Sequence, residues 1–218
     1  MQALVDNSEQ GTTEWLTSRI GYVTASKVAD VMAKGQGKSR ETYLIKTVCE
    51  ILTGKPINGY KSEYMQAGND REGTSRTLYT AITENIVKEV GFYYLPSEMF
   101  GASSDGLVGE DGMVEIKNVI PSEQIRLLSL MTIPGKYMKQ MQTNLYVHDR
   151  KWCDYVSVSL GDDKEGELPD EYKVVILRVY RDEDLINQIQ TAVKAFHIDV
   201  QKTINKIKES TKWANPNQ

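Results

Sequence analysis

The stretch GMVEIKNV, residues 112–119, follows a glycine turn and places charged side chains in a run that otherwise reads as a buried strand. Apolar residues such as Met113 and Ile116, bounded by turn signals, predict that strand. Glu115 and Lys117 are two residues apart, so on a strand they point to the same face of the sheet. A carboxylate and an ammonium on one face of a core strand indicate a chemical role.

Asp105 lies in the preceding segment, at the turn signal SSDG, ten residues before Glu115. A connecting loop of five residues, 108–112, would set Asp105 directly opposite Glu115, with side chains about 5 Å apart. A loop one residue shorter would turn the aspartate to the other face of the sheet. Two carboxylates at about 5 Å repel by roughly 3 kcal/mol at an effective dielectric constant of about 20, so we expect a compensating cation.

Hard oxygen ligands at that separation suit Mg²⁺ or Mn²⁺. Close to such an ion, the ammonium of Lys117 can orient an attacking water and stabilise developing negative charge. Together with Asp105 and Glu115, it predicts metal-assisted hydrolysis of a phosphodiester. The spacing alone fits an exposed hairpin edge equally well, because Asp-x(9)-Glu-x-Lys arises by chance in many proteins.

Composition excludes several classes of protein. The 218 residues are enough for one sizeable core, and 40% are apolar, 26% are charged and the formal net charge is −4. Any contact with nucleic acid must therefore depend on basic residues gathered locally. Cys49 and Cys153 fit no ligand spacing, and neither an export signal nor a run of about 18 apolar residues is visible. We expect a reduced, cytoplasmic protein that does not span a membrane.

The periodicity of apolar residues predicts a single α/β domain over residues 1–218, with a mostly consecutive central sheet flanked by helices. Segments 1–12 and 213–218 are expected to be loosely ordered tails. Helices are predicted over 24–33, 39–54, 62–83, 121–131, 136–148 and 182–212, and strands over 90–108, 113–117, 152–161 and 172–181. The isolated His148 and His197 are expected on the surface or on a helix face.

Four segments of the sequence add to the pattern formed by Asp105, Glu115 and Lys117. They are EWLTSRIGYVTASKV at 14–28, GNDRE at 68–72, SSDGLVGEDGMVEIK at 103–117 and YMKQMQ at 137–142. In order and spacing they resemble the phage lambda exonuclease family of viral recombinases, over most of residues 14–147. The last third of the chain matches only in its pattern of strands and a long helix. The resemblance implies a restriction-endonuclease-like core, with a central mixed sheet flanked by helices and a long carboxy-terminal helix.

The resemblance also implies a metal centre with two Mg²⁺ ions, for which Mn²⁺ could substitute. Asp105 and Glu115 would hold the ions, helped by the main-chain carbonyl of Ile116. Glu72 would reach the second ion through water. Lys117 would position the attacking water. Gln140 would hold the nucleophile or the scissile phosphate.

Arg19, Ser26 and Ser103 match residues that grip the 5′-terminal phosphate in that family. An arginine offers a fork of donors to phosphate. Ser26 falls in the first turn of its predicted helix, where free N–H groups and the helix dipole favour an anion. Without the resemblance, a surface salt bridge for Arg19 and ordinary helix caps for the serines would explain the three residues better.

The chain departs from the family at the glycine-rich loop, where Gln36 replaces an arginine near the phosphate. Lys38 or Arg40 could substitute for it and contact DNA. A proline common beside the aspartate is Ser104 here. Further DNA contacts are predicted at Tyr137, Gln142 and Met65. Met65 would form a wedge with Tyr60 and Tyr64 against unpaired bases, for which core packing is the alternative.

The resemblance implies a Mg²⁺-dependent 5′-to-3′ exonuclease that digests one strand of linear double-stranded DNA from a 5′-phosphorylated end. Its product would be a 3′ overhang for phage single-strand-annealing recombination. A homotrimeric ring, a single-strand annealing partner and a phage or prophage gene in a bacterial host are also implied. The alternatives are a sequence- or structure-specific endonuclease of the same fold and a non-catalytic DNA-binding scaffold on a decayed nuclease fold.

Overall fold

The computed structural model describes residues 3–33, 38–57, 63–162 and 164–214. Its helices are α1 Thr13–Ser18, α2 Val28–Val31, α3 Ser39–Thr53, α4 Glu63–Thr83, α5 Pro121–Leu130, α6 Gly135–Val147, α7 Asp170–Lys173 and α8 Glu183–Ala214. Its strands are β1 Leu4–Asp6, β2 Val23–Thr24, β3 Val87–Lys88, β4 Phe92–Leu95, β5 Phe100–Ala102, β6 Gly106–Val108, β7 Gly112–Asn118, β8 Trp152–Val158 and β9 Val174–Tyr180.

The strands form two mixed sheets. The larger has the order β3-β6-β7-β8-β9, with β7 and β8 parallel and the other neighbours antiparallel. The smaller has the order β1-β4-β5-β2, with β2 and β5 parallel. The predicted α/β architecture with mixed sheets, flanking helices and a long carboxy-terminal helix is confirmed.

The prediction of one central sheet with a strand over 90–108 is wrong. A turn follows β4, in which the N–H of Glu98 donates to the carbonyl of Leu95 at 3.1 Å and Met99 adopts φ 55°. The chain therefore reverses, and β5 pairs antiparallel with β4. The aromatic run builds the smaller sheet before the chain crosses into the larger one at β6.

Two further expectations fail near the amino terminus. The helix predicted over 24–33 is mostly absent, because Val23 and Thr24 pair with β5, Ala25–Lys27 form a single 3₁₀ turn, and α2 has four residues. The segment expected as a loose tail contains β1, which pairs antiparallel with β4. At the other end α8 continues to Ala214, and the last four residues lie outside the described part of the chain.

Helices cover both faces of the larger sheet around β7. On one face Met113 packs in a buried cluster with Met141 and Leu145 of α6. On the other face Val114 packs with Tyr79 of α4. Because successive strand residues alternate, Glu115 and Lys117 lie on the α6 face together with Met113.

The long helix α8 packs along the smaller sheet rather than the larger one. Its buried apolar residues share a cluster with α2, α3 and β5, and the ring of Phe196 stacks on that of Tyr43 at 5.2 Å. Among the described residues, no helix is both long enough and apolar enough to cross a membrane.

Candidate active site

Glu115 occupies the centre of β7 with none of its side chain exposed. Gln140 Nε2 donates to its Oε1 at 2.5 Å, and Asn144 Nδ2 donates to its Oε2 at 2.9 Å. The ammonium of Lys117 forms an ion pair with Oε1. Burying a carboxylate costs several kcal/mol unless hydrogen bonds and an opposite charge compensate, and helix α6 and strand β7 together supply these partners.

Asp105 stands just before β6, opposite Glu115. The register pairs Gly106 with Val114 and Val108 with Gly112, so continuing the ladder by one residue brings Asp105 to Glu115. The connecting loop has three residues, 109–111, where five were expected. The difference of two residues preserves the predicted facing. Asp105 Oδ2 also accepts the N–H of Ile116 at 2.6 Å, which ties the aspartate to β7.

Glu72 reaches the same region from α4. Arg76, one helical turn later, donates to Glu72 Oε1 at 2.7 Å and also pairs with the exposed Glu89. Burial raises the pKa of Glu72, and the nearby negative charge of Asp105 raises it further, against the lowering effect of Arg76. The carboxylates of Glu72 and Asp105 are therefore electrostatic neighbours, although they come from different elements.

Burial and neighbouring charges shift the pKa values of the two side chains at the centre of the site. Burial raises the pKa of Glu115 to about 7; Lys117 opposes this shift, while Asp105 and Glu72 add to it. Burial alone would lower the pKa of Lys117, but Glu115 and Asp105 outweigh it, so that pKa lies above its ordinary value. Lys117 is thus held as a cation among carboxylates.

This donor set fits a divalent cation. Three carboxylates from three segments share one region, and hard oxygen donors are the ligands that Mg²⁺ prefers. Among the residues described, no group of three or more His, Cys, Asp and Glu side chains is arranged to bind a metal. The predicted ligand set is smaller than that, since it combines two direct carboxylates with the Ile116 carbonyl and reaches Glu72 only through water.

The residues predicted to bind a terminal phosphate lie around strands β2 and β5 of the smaller sheet. Ser26 lies in the 3₁₀ turn that follows β2, and Ser103 directly follows β5, with which β2 pairs in parallel, two residues before Asp105. Ser26 is exposed and Ser103 is half-buried. The four-residue α2 begins only after Ser26 and is too short to supply a helix dipole. The prediction of an anion site in the first turn of a helix at Ser26 is therefore wrong.

Arg19 lies against the same strands. Its guanidinium carbon is 3.8 Å from the ring centroid of Trp15 and 5.6 Å from that of Phe92, which packs on Gly101 of β5. Burial lowers the pKa of Arg19 to about 10, still well above neutrality. Arg19 Nε and Ser103 Oγ are buried and have no hydrogen-bond partner. Unsatisfied buried donors are rare in folded proteins, and these two groups are able to donate hydrogen bonds to a bound anion.

The family follows from a match of residues 14–151 to the YqaJ-like viral recombinase domain. The chain belongs to this family. The resemblance read from the sequence is thereby confirmed. Curated protein sequences give no match.

Solved structures place the YqaJ-like domain among nucleases in fold. An alkaline exonuclease, LHK-Exo, from Laribacter hongkongensis is 38% identical, with a TM-score of 0.83 over 93% of this chain and 100% of that one. The same values hold for LHK-Exo in complex with dAMP. A phage related exonuclease from Haemophilus somnus 129PT, at 15% identity, a TM-score of 0.67 and coverage of 85% and 96%, shares the fold.

Two of the predicted DNA contacts bind other parts of the protein, Gln142 in the interior and Arg40 in a partly exposed ion pair. Gln142 is buried, donates from Nε2 to the carbonyl of Tyr180 at 2.8 Å and accepts the N–H of Asp182 at 2.8 Å. It joins α6 to the β9–α8 connection and does not face DNA. Arg40 forms an ion pair with Asp199 of α8 at 2.7 Å, which holds it against the carboxy-terminal helix.

The remaining predicted contacts differ in their surroundings. Lys38 is exposed at the start of α3. Tyr137 lies beside the site, with the ammonium of Lys117 at 5.4 Å from its ring centroid. Gln36, Tyr60 and the side chains of Tyr64 and Met65 lie outside the described residues, so the proposed wedge stays a prediction.

The sequence reading missed two residues of the site. Asn144 follows Gln140 by four positions on α6, a spacing that puts both on one helix face, and that spacing could have revealed it. Arg76 follows Glu72 by four positions on α4 in the same way. The prediction that His148 lies on the surface or on a helix face is wrong: the side chain is 8% exposed, and its ring centroid lies 4.3 Å from that of Tyr93.

Proposed function

We propose that this chain is a Mg²⁺-dependent exonuclease that digests one strand of linear double-stranded DNA in the 5′-to-3′ direction from a 5′-phosphorylated end. The observation that carries the proposal is the convergence of Asp105, Glu115 and Glu72 around Lys117, in a chain that resembles an alkaline exonuclease over nearly its whole length. The product would be a 3′ single-stranded overhang for annealing-based recombination.

Each residue of the cluster has a role in this proposal. Asp105, Glu115 and the carbonyl of Ile116 would hold two Mg²⁺ ions, or Mn²⁺ in their place, with Glu72 acting through water. Bound ions would supply charge neutralisation and a water of lowered pKa. Lys117, kept cationic by the carboxylates, orients the attacking water and stabilises developing negative charge.

Gln140 completes the set at the entrance to the site. Its side-chain amide donates to Glu115 Oε1 and is half-buried, so it reaches both the carboxylate and the solvent side. We assign it to holding the nucleophile or the scissile phosphate, with Tyr137 one helical turn earlier contacting DNA nearby.

Direction would come from the pocket of Arg19, Ser26 and Ser103. Its unpartnered buried donors would donate hydrogen bonds to a 5′-terminal phosphate, and an arginine binds phosphate strongly through charge-assisted hydrogen bonds. After each cleavage a new 5′ phosphate would refill the pocket and draw the duplex forward by one nucleotide. LHK-Exo has been solved in complex with dAMP, and a mononucleotide of that kind is the product such a cycle would release.

The cellular setting belongs to the same proposal. A homotrimeric ring around DNA would gather basic groups in a channel although the whole chain is acidic. A single-strand annealing protein would receive the freed strand, in the cytoplasm of a bacterium that carries the phage or prophage gene. The size of the assembly in solution and capture of such an annealing protein would test these two points.

The decisive experiment is digestion of end-labelled linear duplex with Mg²⁺ and with chelator, beside an intact circular plasmid. We expect loss of the linear strand that begins with a 5′ phosphate, no reaction in chelator and no loss of the circle. Cleavage of the circle would favour the endonuclease alternative. DNA binding without cleavage would favour the scaffold alternative.

The pocket is tested separately with Arg19→Met and, as a matched control, Arg126→Met at an exposed arginine on α5. Losing one charge-assisted hydrogen bond of about 1.5–3 kcal/mol lowers the rate about tenfold or more. We expect that loss for Arg19→Met on 5′-phosphorylated ends and little change on 5′-hydroxyl ends. Equal rates of the unaltered protein on both kinds of end would remove the pocket from the mechanism.

A further inference from the structure

The α6 helix holds Glu115 from both sides of its carboxylate. Gln140 and Asn144 stand one helical turn apart and project from the same face. Gln140 Nε2 donates to Oε1, and Asn144 Nδ2 donates to Oε2. The ion pair with Lys117 also uses Oε1. Among the described residues, Asn144 is therefore the side chain that donates to Oε2.

The hydrogen bonding of Asn144 differs from that of two other buried amides, Gln124 and Gln142. Gln124 is satisfied at both ends, with donations to the carbonyls of Tyr172 and Lys173 and a hydrogen bond accepted from Ser157. Gln142 is also satisfied at both ends.

Asn144, with none of its side chain exposed, leaves Oδ1 without a partner. A buried acceptor without a partner costs about 1–3 kcal/mol. An amide retained at that cost, with its donating end on the predicted ligand, points to a role in the site.

We infer that Asn144 is a positioning residue that fixes the plane of the Glu115 carboxylate for metal binding, an inference that rests on the proposed function. Donors at Oε1 alone restrain the rotation of the carboxylate about its terminal carbon–carbon bond through only one of its two oxygens. A second donor at Oε2 fixes that rotation. Groups that hydrogen-bond to metal ligands orient those ligands, and their loss typically costs 10- to 100-fold in metal affinity or activity.

The test compares Asn144→Leu, which has a similar shape and no donor, with Thr143→Val as a matched control. Thr143 is also buried on α6, but its hydroxyl donates to the carbonyl of Lys139, away from the site. The readouts are Ca²⁺ binding by calorimetry, which needs no turnover, and the Mg²⁺ concentration for half-maximal cleavage. We expect Asn144→Leu to shift both by about 10- to 100-fold, whereas Thr143→Val shifts neither.

Asn144→Ser provides a second variant, because a hydroxyl retains some donor capacity at lower cost to folding, and we expect it to fall between Leu and the unaltered protein. Unchanged Ca²⁺ binding in both Asn144 variants, even with a lower melting temperature, would overturn the inference and leave the proposed function standing. If the unaltered protein neither binds Ca²⁺ nor cleaves DNA, the proposed function and this inference fall together.

Discussion

Two buried carboxylates on neighbouring strands show how differently this protein treats negative charge. Glu115 on β7 and Asp154 on β8 are one register step apart, since Val114 pairs with Asp154 and Glu115 with Tyr155. Both are almost fully buried. They belong to the same sheet but point to its opposite faces, so they have no hydrogen-bond or ion-pair partner in common.

Asp154 has the partners of a structural charge. Arg178 approaches it with two nitrogens, at 2.8 Å and 2.9 Å, and the hydroxyl of Tyr79 donates to it at 2.7 Å. Arg178 is itself fixed by stacking over the ring of Trp152 at 3.7 Å. Such a bidentate pair with an added hydroxyl satisfies the carboxylate within the fold.

Glu115 instead lies among like charges. Two amides and Lys117 contact it, but Asp105 and Glu72 oppose its ionisation. The comparison indicates that the fold neutralises a structural charge with its own side chains, whereas a reactive centre keeps an excess that an external ion can remove. Sites of this kind reduce stability for the sake of activity.

The largest expected effect is on the reactive side of the comparison. Asp105→Asn keeps an oxygen that can accept the Ile116 N–H but removes a negative charge from the cluster. We expect exonuclease activity to fall about 10³-fold, because the metal ion that would stabilise the transition-state charge loses a ligand. We expect the free energy of unfolding to stay level or rise, because repulsion is relieved. Strand release and urea unfolding measure the two; full activity in this variant would refute the role of Asp105.

The next effect breaks the structural side. Arg178→Leu leaves Asp154 buried with Tyr79 alone, and an unpaired buried charge costs about 3–5 kcal/mol of unfolding free energy. A double variant, Asp154→Leu with Arg178→Leu, should recover most of the loss, because no charge is left unpaired. Urea denaturation at pH 7 measures both proteins. Equal stability of the single and double variants would show that the pair is not a unit.

His148 represents a third treatment of a buried ionisable group, which is to keep it neutral. Burial lowers its pKa to about 3, and both ring nitrogens lack partners. Between pH 6.5 and 3 the unfolded chain binds a proton at His148 that the folded chain does not. The free energy of unfolding therefore decreases by about 1.4 kcal/mol for each unit by which the pH is lowered in this range. His148→Leu should remove this dependence. Unfolding free energies of both proteins at pH 7, 6 and 5 test it, and a constant difference between them would contradict the prediction.

The smallest effect is expected at a surface pair that joins the β6–β7 turn to the residue before β8. Lys151 and Asp111 form an ion pair at 2.9 Å, with both side chains at least half exposed. Exposed pairs contribute about 0.2–1 kcal/mol, so Lys151→Ala should change the unfolding free energy by less than about 1 kcal/mol. A loss as large as that of Arg178→Leu would mean that burial does not separate the two kinds of charge.

The sequence was sufficient for the local and periodic parts of the fold. The helices α3, α5, α6 and α8 appear close to their predicted positions, because each has an apolar stripe and clear termination signals. The reactive hairpin was also accessible, since alternation along a strand ties the facing of Asp105 to that of Glu115. The division into two sheets was not, because it depends on long-range pairing of β1 and β2 with β4 and β5.

The sequence predicted the carboxylates and the lysine of the site and one supporting amide, Gln140, but it did not lead to Asn144 or Arg76. Asp105, Glu115 and Lys117 stand out because charges are unusual in a core strand. Asn144 and Gln142 are both amides on α6, six and four positions after Met138. The spacing of four positions from Gln140 favours Asn144, and the structure shows that Asn144 contacts Glu115 whereas Gln142 contacts Tyr180. Burial of His148 depended on contact with Tyr93 of the smaller sheet, which no local pattern encodes.

The three-residue connection at 109–111 restricts how this gene can change. Inserting or deleting a single codon there would rotate one acidic group to the opposite side of the sheet while leaving the hairpin foldable. Paired insertions or deletions would keep both groups together. Length variation at this turn should therefore proceed in steps of two, and an odd step should survive only where a bulge restores the phase.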